Sequence, residues 1–148
     1  MRNSEEQNPE YWWREAHDAL VDALIGASAG QSRKTICNLL HASLERSLKA
    51  LFVEKIGGKP PETHLLTVLA EATGTFTSLS DEERRCLIKM SKMHSTASYP
   101  KGDEQSQIWY DDGMFKLLVA TTKSIYDKLY GRSEQHAKAI EHAERRGD

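Results

Sequence analysis

Apolar residues recur at steps of three and four along almost the whole chain, and that period leaves room for little but helices. After Pro9, whose missing N–H is harmless in a first turn, Trp13, Ala16, Leu20, Leu24 and Ala27 mark one face, with Glu15, Asp18 and Asp22 off it. The spacing predicts a helix over 9–29, weakened by Gly26 and stopped at Gly30. A second stripe of Ile36, Leu40, Leu44, Leu48, Leu51, Phe52 and Ile56 predicts a long central helix over 31–56. Gly57-Gly58 ends it and Pro60-Pro61 bars its continuation.

A shorter third helix is expected after Pro61, with Thr63 as its N-cap and Leu65, Leu66, Val68 and Leu69 as its apolar residues, ending near Gly74. Ser80-Asp81-Glu82-Glu83 has the form of a capping box: the Ser80 hydroxyl accepts from the Glu83 N–H and the Glu83 carboxylate reaches back. It opens a fourth helix carrying Cys86, Leu87, Met90 and Met93. After a loop over 95–104, a fifth helix runs from about Glu104 to Tyr130, with Ile108, Phe115, Leu118, Val119, Thr122, Ile125 and Leu129 inward and Gly131 as its stop. From Arg132 to Asp148 there is one strong apolar residue, Ile140. No alternating strand pattern, internal repeat or dividing linker is found. The expected fold is all-α: an antiparallel up-and-down bundle of about five helices over 9–131, with a polar helical or disordered C-terminal tail over 132–148.

The chain's 148 residues suffice for one domain that buries roughly 70% of its unfolded surface without metal or disulfide staples. Cys37 and Cys86 do not make a disulfide framework. Both fall on or near apolar stripes and read as buried structural thiols. Arg2 to Asn8 is polar where a secretory leader would be apolar, and no window holds the ~18 apolar residues of a membrane span. These features predict a cytoplasmic protein with no membrane partner.

The net charge of −2 is a sum of unlike parts. Residues 1–30 carry two basic and six acidic groups. Residues 31–60 carry Arg33, Lys34, Arg46, Lys49, Lys55 and Lys59 against Glu45 and Glu54. The second helix is therefore the basic element. It reads as a phosphate-facing surface or as a solvated helix face in which Glu45 and Lys49 form an i,i+4 ion pair.

Most catalytic patterns are missing. The six histidines, at 17, 41, 64, 94, 136 and 142, form no metal-binding spacing, and the cysteines lie 49 positions apart; no metal and no cofactor is expected. Gly57-Gly58-Lys59 runs into Pro60-Pro61 rather than a helix start, so it is a helix stop and not a phosphate loop. Trp12-Trp13 reads either as a base-stacking surface or as one core ring and one ring covering an interface. A metal-free ribonuclease joins an Arg to a His for charge stabilisation and proton transfer; its Arg-x4-6-His spacing is found at none of the arginines.

Three motifs in order point to a family. Ala42-Ser43-Leu44-Glu45-Arg46-Ser47-Leu48-Lys49-Ala50-Leu51 is similar to an Ala-x-x-Glu-x-x-x-Lys-Ala-Leu run on a long second helix. Pro61-Glu62-Thr63-His64-Leu65-Leu66, with Leu69 following, is similar to a Thr-His segment after a Gly/Pro loop. Ala97-Ser98-Tyr99-Pro100 stands between helices four and five. The chain thereby resembles, over residues 11–130, the HEPN domains (higher eukaryotes and prokaryotes nucleotide-binding). These are small helical bundles, often dimeric, frequently encoded beside a minimal nucleotidyltransferase. Two departures turn the expectation away from RNA cleavage: Ser98 stands where many relatives carry Arg, and Arg-x4-6-His is missing.

The resemblance implies a nucleotide- or RNA-phosphate-binding module. It is expected to act as a homodimer with a nucleotidyltransferase partner, in a toxin–antitoxin-like or regulatory system. The candidate ligand-binding residues are Glu45, Lys49, His64, Tyr99 and Lys101. Lys49 and His64 are expected to meet where the second and third helices pack, with Tyr99 and Lys101 on the loop above, an ammonium, an imidazole and a phenol being suited to holding a phosphate and stacking a base. Two alternatives stay open. One is a metal-independent ribonuclease using His64 or His94 for proton transfer. The other is a non-catalytic dimeric interaction domain built on Trp12, Trp13 and the fifth helix.

Overall fold

The computed structural model describes residues 5–96 and 111–146, the last three of the first stretch by their backbone alone. Six α-helices and one 3-10 turn make up this part of the chain, and no strand occurs among the described residues.

Helix α1 (Pro9–Ser28) starts where the Asn8 side chain accepts from the Glu10 N–H at 3.0 Å, with Pro9 in the first turn. Its buried face is Trp13, Ala16, Ala19, Leu20, Ala23 and Gly26. The small residues let α1 lie close along α2 (Arg33–Lys55), the most extensive helix–helix interface in the fold. Across it the Ser43 hydroxyl donates to the Ala16 carbonyl at 2.8 Å. Gly30 turns the chain between them at φ +76°, a conformation that costs an L side chain strain.

Helix α2 is the centre of the bundle. Ser32 caps it by accepting from the Thr35 N–H at 3.2 Å. Ile36, Leu40, Leu44, Leu48 and Leu51 are sealed, and Ser43, Ser47 and Ala50 are buried between them, so most of its circumference faces protein. Truncating one of these leucines to alanine costs about 2–5 kcal/mol. Gly57 and Gly58, at φ +89° and +74°, release the chain at its end. The expected stripe overshoots by one residue there: Ile56 lies past the last turn and is exposed.

Helix α3 (Leu66–Ala72) is shorter than the spacing suggests. Thr63 does not cap it; its hydroxyl accepts from the Leu65 N–H at 3.1 Å, inside the preceding turn. The first N–H of the helix, that of Leu66, donates instead to Ser91 Oγ at 3.1 Å on the next helix. Leu66 and Leu69 are buried, while Leu65 and Val68 face outward, because seven residues offer only one narrow inward stripe. After the 3-10 turn (Phe76–Ser78), helix α4 (Asp81–Thr96) opens with the expected capping box. The Glu83 N–H donates to Ser80 Oγ at 3.1 Å and the Ser80 N–H to Glu83 Oε1 at 2.8 Å.

Helix α5 (Asp112–Gly131) is capped by Asp111, whose side chain accepts from the Gly113 and Met114 N–H groups. The expected residues 104–110 of this helix, Ile108 among them, lie outside the described residues. Phe115, Leu118, Thr122, Ile125 and Leu129 face inward as expected. Gly131 is still helical, and Arg132 forms the C-cap. The polar C-terminal segment is helical too: α6 (Glu134–Arg145), capped by Ser133, buries none of its own residues and leaves Ile140 exposed.

Candidate functional site

Glu45 sits one turn from both His41 and Lys49 on the same face of α2, since residues four apart are neighbours on a helix. The turn after Pro61 carries His64 over this face. The result is a small ionic cluster centred on one carboxylate. His64 Nδ1 lies 2.9 Å from Glu45 Oε1, Lys49 Nζ donates to Glu45 Oε2 at 3.0 Å, and His41 Nδ1 stands 3.8 Å from Oε1. The side chains of Glu45 and Lys49 are 13% and 9% exposed, whereas that of His64 is 70% exposed. Burial pushes the Glu45 carboxyl up, but hydrogen bonds from His64 and Lys49 outweigh it and hold the group below the usual carboxylate range.

The expected meeting of Lys49 and His64 is thus mediated by Glu45, whose Oε2 accepts from Lys49 and whose Oε1 bonds His64 Nδ1. The Lys49 ammonium also stands 5.5 Å from the centre of the Trp12 ring, a cation–π contact that covers its other side. Trp12 itself is fixed by its indole N–H donating to the Glu6 carbonyl at 2.8 Å. Lys49 is therefore committed inside the fold, and His64 is the member of the cluster that reaches the surface. Tyr99 and Lys101 lie outside the described residues, as does the His94 side chain.

Two members escaped the sequence reading. His41 is four positions before Glu45, a usable signal. Trp12 covering Lys49 is a contact across 37 positions that no local spacing encodes. Of the paired tryptophans, Trp13 is in the core and Trp12 is half-buried over Lys49, the arrangement of one core ring and one covering ring.

Part of the basic character of residues 31–60 is spent within the protein. Arg33 pairs with Asp112, Lys49 with Glu45, and Lys59 with Glu6 and Glu62 at 3.3 and 2.7 Å. Lys34, Arg46 and Lys55 on the same helix form no salt bridge among the described residues. The cysteines are buried and free. Burial pushes the Cys37 thiol up to about 11 and the Cys86 thiol up to about 12, far from a thiolate nucleophile. Among the described residues no group of three or more His, Cys, Asp or Glu is placed to hold a metal ion, and no helix is long and apolar enough to cross a membrane.

The family model of the HEPN domain matches residues 9–145, from the first turn of α1 to the end of α6. The chain belongs to the HEPN domain family. No curated protein and no solved structure matches it. Membership makes the chain a nucleotide- or RNA-related helical module. The residues that first suggested a HEPN domain, Glu45, Lys49 and His64, are the ones the fold gathers into one cluster. In this HEPN domain the match includes α6, so the polar C-terminal helix is part of what the family model covers.

Proposed function

We propose that this HEPN domain binds the phosphate of a nucleotide or RNA at the corner between α2 and α3, with His64 as the contacting side chain. The observation that carries this reading is the 2.9 Å bond from the mostly buried Glu45 to the mostly exposed His64. A carboxylate at Nδ1 fixes the ring's orientation, and an imidazole N–H is a donor to phosphate oxygens. Lys49 supports the site from beneath by holding the second carboxylate oxygen. Tyr99 and Lys101 complete the proposed site. One imidazole and one lysine make a weak, salt-sensitive site. The domain works as a cytoplasmic homodimer with a nucleotidyltransferase partner, in a toxin–antitoxin-like or regulatory system.

Titration with ATP and with a short RNA, at low and moderate salt, tests this. Binding lost in His64→Ala and weakened in Glu45→Gln supports the reading; no binding of either probe rejects it.

The same bond favours a second reading. A carboxylate-held imidazole at a surface is also the arrangement of a general acid–base group, so metal-independent RNA cleavage is the rival. RNA left intact by the pure protein at every pH between about 5.5 and 8 removes it.

A further inference from the structure

Helices α1 and α5 both pack on α2 but make little backbone approach to each other. Between them, and flanked by α6, runs an open groove of about 940 Å³. It lies apart from the Glu45–His64 cluster and shares no residue with it. Its floor is apolar: Leu20, Val21 and Leu24 at one end, then Trp13, Tyr126 and Tyr130. The three rings are locked together. Trp13 meets both tyrosines edge-on at 6.1 and 5.2 Å, and the tyrosines lie within 5° of parallel. The floor is therefore rigid and already formed, which lowers the ordering cost of binding.

Length and charge select the occupant. On α1 the lining runs from Glu10 to Leu24, about 21 Å or four turns at 1.5 Å per residue. A compact ligand fills only part of that; an amphipathic helix laid along it reaches the whole floor with residues at i, i+3, i+4 and i+7. The rim carries Arg14 from α1, Lys123 from α5 and Lys138 from α6. All three are exposed, and none of them forms a salt bridge among the described residues, unlike Arg33, Lys49, Lys59 and Lys128. Two carboxylates, Glu10 and Asp127, and His17 share the rim, leaving it net positive.

We propose that this groove docks an acidic amphipathic helix of a partner protein. Its apolar face covers Val21, Leu24 and Tyr130, the part-exposed members of that floor, and its flanking carboxylates pair with Arg14, Lys123 and Lys138.

The test is a titration of the 15N-labelled full chain. One probe is a blocked synthetic peptide of about sixteen residues, with Leu at helical i, i+3, i+4, i+7 spacing and Glu on the flanks. A second peptide carries Lys in place of every Glu, and ATP is a third arm. The Glu peptide is expected to saturate, shifting the Trp13 indole N–H signal and amides of α1, α5 and α6. The Lys peptide is expected to bind at least tenfold more weakly. Arg14→Glu combined with Lys138→Glu, both surface changes that leave the helical circular dichroism intact, should weaken the Glu peptide at least tenfold and improve the Lys peptide. No saturation by the Glu peptide, equal binding of both peptides, or ATP alone shifting the Trp13 indole overturns the proposal. None of these outcomes bears on His64, whose ligand is read by the loss of ATP or RNA binding in His64→Ala.

Discussion

The Trp13 indole N–H donates to Glu54 Oε1 at 3.0 Å, joining the core side of α1 to the end of α2. The same carboxylate accepts from the Ser133 hydroxyl at 2.6 Å and from the Glu134 N–H at 3.3 Å, so it also fastens the start of α6. Helix α6 buries no side chain of its own, and this anchor, with the His136 ring edge-on to Tyr130, is what places it.

Replacing Glu54 by alanine therefore removes three hydrogen bonds and leaves the indole donor of a buried ring without its acceptor. The expected loss is about 2–3 kcal/mol, from the penalty of an unsatisfied buried donor, read as a lower urea midpoint. Amide exchange should accelerate in α6 more than in α2. Uniform acceleration through both helices shows that α6 is held by something else.

Glu83 joins α4 to α5. Besides closing the capping box it accepts from Ser124 Oγ at 3.0 Å and from Lys128 Nζ at 2.6 Å. Burial pushes its carboxyl up, but Lys128, the Ser80 backbone and Ser124 together hold it below its ordinary value of 4.5. Glu45 is depressed in the same direction. In the pH range just below 4.5 the unfolded chain binds more protons at these positions than the folded one, so stability rises with pH there. The contribution is fully present above the unfolded value and is lost as pH falls through the folded one. Glu83→Gln should flatten the acid limb of a stability-against-pH curve while lowering the plateau near neutrality. An acid limb of unchanged slope shows that Glu83 does not contribute to it.

Lys49 separates charge from packing. Alanine removes both the ion pair with Glu45 and the stem beneath Trp12, whereas methionine keeps most of the stem. Breaking a largely buried pair by removing one partner costs on the order of 3 kcal/mol. Thermal unfolding of the two variants should place Lys49→Met between Lys49→Ala and the parent. Equal losses assign the whole effect to charge.

Cys37 and Cys86 should resist alkylation at pH 8 in the folded protein, because burial keeps both as thiols. Their labelling rate is expected to follow global unfolding across a urea series. Fast labelling in the absence of denaturant contradicts that burial.

The local devices were legible in the sequence because they lie within one turn. The capping box of Ser80 and Glu83, the glycine stop of α2 and the i,i+4 pair of Glu45 and Lys49 are all found where the spacing put them. What stayed hidden joins distant positions. The Glu45–His64 bond spans 19 residues, Trp13–Glu54 spans 41 and Ser133–Glu54 spans 79. Spacing names such residues without saying which of them meet. The pairing of Arg33 was hidden for the same reason: Asp112, which neutralises it, is 79 positions away. The groove was invisible too, since a stripe on one helix does not tell how much of it a neighbour leaves uncovered.

The pairing of α1 with α2 has a bearing on how the chain is made. These two helices are consecutive and share the fold's most extensive interface. A nascent chain released only as far as Lys55 already contains both sides of that hairpin, including Trp13 and Glu54. The contacts of this hairpin nearest its turn at Gly30 are close in sequence and have a small loop-closure cost, so pairing proceeds from the turn toward Trp13 and Glu54. The seed of the fold can thus assemble while α5 and α6 are still being synthesised. When they arrive, they find a preset surface with one carboxylate already turned to receive Ser133.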